Sequence, residues 1–133
     1  MGNELVPIDT GLLNLLNKSF DGNGLPLPFV KEILLMECHV AGTAYRDDIA
    51  DIEPELAIGD FLIFKRDPDN KHDKLAIKIY DKQGRLLGYV PKEKNEVVAH
   101  LMDAGKLIFG KLELKQWQKK WLRIDIRAFM RDF

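Results

Sequence analysis

Within Arg66-Asp67-Pro68-Asp69-Asn70-Lys71-His72-Asp73, every residue except the proline carries a charged or polar side chain. Tyr45-Arg46 lies upstream, and Tyr89 and Lys92 lie downstream. A carboxylate accepts a charge-assisted hydrogen bond from a hydroxyl, and a phenol or an ammonium donates to an anionic oxygen. These types suit ligand binding better than catalysis. Cys38, His39, His72, His100 and Asp73 show no paired-Cys or His-x-x-x-His spacing for a metal. Cys38 and His39 are neighbours on one strand and point to opposite faces. No phosphate-binding glycine loop of the NTPase type is present. The expectation is no catalytic residue, no metal and no cofactor. Each residue also has a purely structural reading. Asp67-Pro68-Asp69-Asn70 is a turn, because Pro68 presets φ and Asp67 can bond the turn backbone. Asp73 can bond the backbone where a strand starts. Asn70 can tie the loop together, Tyr45 can pack on a rim, and Lys92 can be a solvated lysine.

The elements that must hold these residues are mainly strands. Ile33 to Val40 alternates, with Leu34, Met36, Cys38 and Val40 on one face. Phe61–Lys65 and Leu75–Tyr80 are further strands, and Asp81-Lys82-Gln83-Gly84 turns the chain into Leu86–Val90. A helix follows, with Asn95 as its N-cap and Val97, Val98, Leu101 and Met102 as its apolar stripe. Gly105 closes it. Leu107–Leu114 and Trp121–Phe129 are two long strands joined through a loop at Gln116-Trp117-Gln118-Lys119. Six strands in about 100 residues fit a small barrel filled by its own side chains, so a ligand must bind on its loops or outer face. The predicted fold is mostly β: a six-stranded OB-like or SH3-like barrel with one short α-helix and a short N-terminal helical arm. Residues 1–30 are assigned to arm and linker, and 31–133 to the barrel. Thr10 caps the arm's helix, which carries Leu12, Leu13, Leu15 and Leu16; these leucines dock on the barrel or on a second copy.

The chain has 133 residues, 46% hydrophobic and 31% charged, with a net charge of −1. That length fits one domain. Near-neutrality argues against a protein that coats DNA non-specifically, though a compact pocket is compatible with it. From Lys111 to Arg131 seven basic residues meet two acidic ones, a local charge of +5. Lys111, Lys115, Arg123 and Arg127 on this stretch either guide a phosphate backbone or form the solvated face of a hairpin. No apolar run approaches the roughly 20 residues that span a bilayer, and no secretion signal is read at the N-terminus. One cysteine, Cys38, offers no disulfide framework, which fits a reducing cytoplasmic setting without membrane contact.

Three stretches, in order, resemble the HIRAN family. They are His39-Val40-Ala41-Gly42-Thr43-Ala44-Tyr45-Arg46, then Leu62 to Ile77, then Leu87-Gly88-Tyr89-Val90-Pro91-Lys92 with Asn95 following. The most specific is Arg66-x-Pro68-x-Asn70-x-x-Asp73 running into Ala76-Ile77. The family often has a basic-aromatic-aromatic cluster where this chain has Ala44-Tyr45-Arg46. It can place histidine at the position of Tyr89 and an aromatic at that of His72.

The resemblance implies a barrel that binds the free 3′ end of single-stranded DNA, in DNA repair or replication-fork processing. A helicase or another DNA-processing protein acts in trans as partner. By the same resemblance, Asp73 accepts the terminal hydroxyl and Tyr45 stacks on the base. Tyr89 and Lys92 face the phosphate, helped by Arg66 and Lys71, and Arg46, Asn70 and His72 complete the expected site. The other reading is a protein-interaction barrel, suited by the leucine-rich arm and the near-neutral charge. DNA versus RNA and the oligomeric state are left open.

Overall fold

The computed structural model describes residues 31–132. The arm helix and linker expected over residues 1–30 lie outside them. Six strands form one antiparallel sheet: β1 (Lys31–His39), β2 (Phe61–Arg66), β3 (Ile77–Tyr80), β4 (Leu86–Tyr89), β5 (Leu107–Gln118) and β6 (Trp121–Asp132). Their order is β1-β6-β5-β2-β3-β4. The sheet curls until Ala41, just past β1, bridges Tyr89 on β4, so the barrel is nearly closed. The predicted mostly-β, OB-like barrel is the observed architecture.

Alternation decides which side chains fill it. Leu122, Ile124, Ile126 and Ala128 of β6 all face inward and are fully buried, against Leu62, Phe64, Ile77, Ile79, Leu87 and Leu112. Helix α1 (Ile49–Ile52) adds Ile49 and Ile52, and α2 (Glu96–Asp103) adds Val98 and Ala99. The described residues therefore hold two short α-helices where the sequence predicts one. A run of four residues is too short to show helical periodicity, and α1 is stabilised by burying both isoleucines.

Three local features also differ from expectation. First, Leu75 does not open β3. It sits in a turn in which the Ala76 N–H donates to the Asp73 carbonyl, and the strand starts at Ile77. Second, Gln116, Trp117 and Gln118 are not a loop; they pair with Arg123, Leu122 and Trp121. The hairpin turns only at Lys119-Lys120, with Lys119 at φ 60°. Third, Asn95 precedes α2 but makes no side-chain capping bond. Bulges at Leu34/Met36 and Leu112/Leu114 bend the long β1–β6–β5 ribbon.

Candidate functional site

The loop between β2 and β3 is built by its own side chains. The Asn70 N–H donates to the Asp67 carbonyl at 3.1 Å, closing the turn around Pro68. The Asn70 side-chain oxygen then accepts from the backbone N–H of His72 (2.9 Å) and Asp73 (3.1 Å), while its NH₂ donates to Asp67 Oδ2 (3.1 Å). Asp73 Oδ1 accepts from the Leu75 N–H at 2.9 Å. From below, the Arg66 guanidinium donates to the carbonyls of Ala76 (2.7 Å) and Lys74 (2.9 Å) and to the Asp103 carboxylate on α2 (2.9 Å). Such a mesh fixes a ten-residue connection that would otherwise sample many conformations.

Asn95 supplies the contact that local reading misses. The residue is 1% exposed, and its side-chain amide donates to Asp73 Oδ2 at 2.7 Å. Both carboxylate oxygens of Asp73 are thus held, each with acceptor capacity left. The Leu75 N–H, the Asn95 amide and the charges of Lys92 and Arg66 outweigh partial desolvation and hold the Asp73 carboxyl below its ordinary range. It is ionised at neutral pH.

A cleft of about 400 Å³ opens beside it, lined by Ala41, Asn70, His72, Asp73, Ala76, Tyr89, Val90 and Lys92. Its far wall is the closing bridge. The Ala41 N–H donates to the Tyr89 carbonyl and the Tyr89 N–H to the Ala41 carbonyl, both at 2.8 Å. Gly88 allows this approach, since a Cβ there would lie 2.2 Å from the Ala41 oxygen. Burial, followed by the charge of Asp67, raises the Tyr89 phenol against the opposing charge of Arg46. Tyr89 therefore stays protonated and can donate.

The chain then turns through Gly42 (φ 84°) into a one-turn 3₁₀ helix over Thr43–Tyr45. Thr43 is fully buried and its hydroxyl donates to the Leu122 carbonyl at 2.7 Å. Tyr45 is left 88% exposed and outside the cleft lining.

A profile of the HIRAN domain matches residues 33–130. The chain belongs to the HIRAN family. Among solved structures it is similar to a protein from Lactobacillus plantarum, at 26% identity and a TM-score of 0.72, covering 78% of this chain and 99% of that one. It is also similar to the HIRAN domain of human HLTF, at 22% identity and a TM-score of 0.60, covering 75% of this chain and 78% of that one. The HLTF HIRAN domain in its DNA-bound conformation matches at 22% identity and a TM-score of 0.54, covering 76% and 79%. No curated protein matches.

On this HIRAN barrel the expected site residues fall into two groups. Asn70, His72, Asp73, Tyr89 and Lys92 line one cleft. Tyr45, Arg46, Arg66 and Lys71 do not. Lys71 is exposed near the loop's tip. Arg46 approaches Asp48 at 3.8 Å, and the bonds of Arg66 brace the loop. The four cations singled out in the basic stretch are all ion-paired: Lys111 with Glu32, Lys115 with Glu53, Arg123 with Asp125, and Arg127 with Glu37 and Glu113. Among the described residues no cluster of three or more His, Cys, Asp or Glu is arranged to hold a metal ion, and no helix is long and apolar enough to cross a membrane.

Proposed function

We propose that this HIRAN barrel is a nucleic-acid-binding module that captures the 3′ end of a single DNA strand. The observation that carries this reading is the ionised Asp73 carboxylate, fixed from two sides and set in one cleft with the Tyr89 phenol and the Lys92 ammonium. A terminal sugar hydroxyl donates to Asp73, while the last phosphate accepts from Tyr89 and Lys92. A 3′-phosphate, or a strand that continues, places negative charge against the same carboxylate and is rejected. His72 and Asn70 border the terminal nucleotide. Tyr45 offers an exposed face for a base, because every base stacks on an aromatic ring. Lys71 and Arg46 add positive potential at the margin, and Arg66 holds the loop in shape. The DNA-bound conformation of the related HLTF domain supports the same ligand class. These residues hold a strand end and offer no group for cutting it. A helicase or another strand-processing enzyme acts on it in trans, in repair or fork processing.

Fluorescence anisotropy with labelled single strands tests the reading. Strands ending in a 3′-hydroxyl bind more tightly than strands ending in a 3′-phosphate, and Asp73→Ala reduces that difference. Equal affinity for both ends in the unaltered protein rejects end capture. An absence of binding at low salt favours a protein-interaction barrel.

A further inference from the structure

The sheet carries a second apolar surface, on its outer side. Strand pairing places Leu34 opposite Phe129, Phe129 opposite Phe109, Phe109 opposite Ile63, Ile63 opposite Tyr80, and Tyr80 opposite Leu86. One large apolar residue per strand thus forms a row across all six strands. Its members face away from the barrel interior, because their neighbours Leu62, Ile79, Leu87, Ile108 and Ala128 fill it. Outward positions on a small barrel are ordinarily polar, as Lys65 and Lys78 are further along the same strands.

Four of its six members are nonetheless shielded from solvent, Phe129 is half-buried, and Leu34 at the β1 end is 49% exposed. Phe109 is 1% exposed, Ile63 5%, Tyr80 6% and Leu86 8%. Ile63, Tyr80 and Leu86 form an apolar cluster separate from the interior one, and neither α1 nor α2 contributes to it. The Phe109 and Phe129 rings stack with centroids 5.8 Å apart. The Arg131 guanidinium lies 4.8 Å from the Phe109 centroid and is ion-paired with Glu32 at 2.7 Å. Arg131 and Lys111 lie over the Phe109–Phe129 end of this face, whereas no helix of the described residues packs on Ile63, Tyr80 and Leu86, whose burial calls for a covering layer.

We infer that the outer row is a docking face for the chain's own first 30 residues. Continuity argues for this occupant. The segment joins the sheet at Lys31, and the next residue, Glu32, pairs with the same Arg131 that leans on Phe109. The incoming chain therefore reaches the sheet beside the row. Composition argues for it too. Leu12, Leu13, Leu15, Leu16 and Phe20 lie in that segment, and such side chains complement an aromatic and aliphatic surface. The HIRAN match begins only at residue 33, so the covering segment is an addition to the shared barrel.

A nitroxide spin label tests this in the full chain. It is placed at Asn17→Cys in a Cys38→Ala background, and amide signals are read by NMR. The amides of Ile63, Tyr80 and Phe109 lose intensity, while those of Asp73 and Lys92, in the cleft, keep theirs. A mixed sample of isotope-labelled chains without nitroxide and unlabelled chains with nitroxide shows no such loss. Retained intensity at Ile63, Tyr80 and Phe109 overturns the inference. Loss in the mixed sample overturns it as well, and assigns the face to a second copy of the chain.

Discussion

Tyr45 stands clear of the barrel on a loop that is pinned at both sides, by the Ala41–Tyr89 bridge and by the Thr43 hydroxyl on Leu122. An aromatic presented this way contributes little to folding. Tyr45→Ala leaves the unfolding midpoint unchanged in urea. It weakens single-strand binding by about 1–3 kcal/mol whatever the terminal base. A drop that depends on base identity, or a shifted midpoint, would contradict that role. Cys38 behaves in the opposite way. Burial raises its thiol to about 11, with Lys94 opposing and Asp125 adding to the shift. The unfolded chain releases this proton from about the ordinary value of 9.0, whereas the folded chain keeps it. Stability is unaffected below that value, falls as pH rises through the window up to about 11, and then levels off. Cys38→Ala shows a smaller alkaline loss of thermal stability than the unaltered protein across that window; equal losses would refute the assignment. Side-chain roles were legible where partners are close in sequence. Asn70 and Asp73 bond backbone groups two or three residues away, which turn chemistry anticipates. The Asn95–Asp73 and Arg66–Asp103 contacts span 22 and 37 residues, and no local rule reveals them.

At the scale of elements, the closest approach is that of β4 to the chain leaving β1. A methyl group at Gly88 meets the Ala41 oxygen at 2.2 Å and the Val40 side chain at 2.7 Å. The first obstacle is backbone and cannot rotate aside. Gly88→Ala therefore destabilises the fold by about 3 kcal/mol, the upper range for overpacking, measured by urea unfolding; a change within error would show that β4 can shift freely. Strand positions were readable because apolar alternation is strong in β6, where Leu122, Ile124, Ile126 and Ala128 all face inward. Strand ends were not. Trp117 and Gln118 lie on an exposed ribbon where pairing continues without burial, so hydrophobic pattern gives no signal there. The apolar row on the outer face was also hidden, since it appears only when register aligns one residue from each strand.

For the whole molecule, charge is balanced by pairing more than by sparsity. Lys111, Lys115, Arg123 and Arg127 of the terminal hairpin face acids, and few cations border the cleft. On the proposed function, binding of a strand end therefore releases few counterions. The slope of log affinity against log salt is about −0.7 to −1.4, one or two phosphates' worth for a single strand. Anisotropy titrations over a range of salt check this, and a much steeper slope would mean that the hairpin's cations engage the backbone. The Ala41–Tyr89 bridge has a consequence at this scale too. It is an isolated pair joining two margins of a curled sheet, and both residues also form the cleft wall. Parting those margins would take the cleft wall apart, so the closure of the barrel and the shape of the cleft rest on the same two hydrogen bonds.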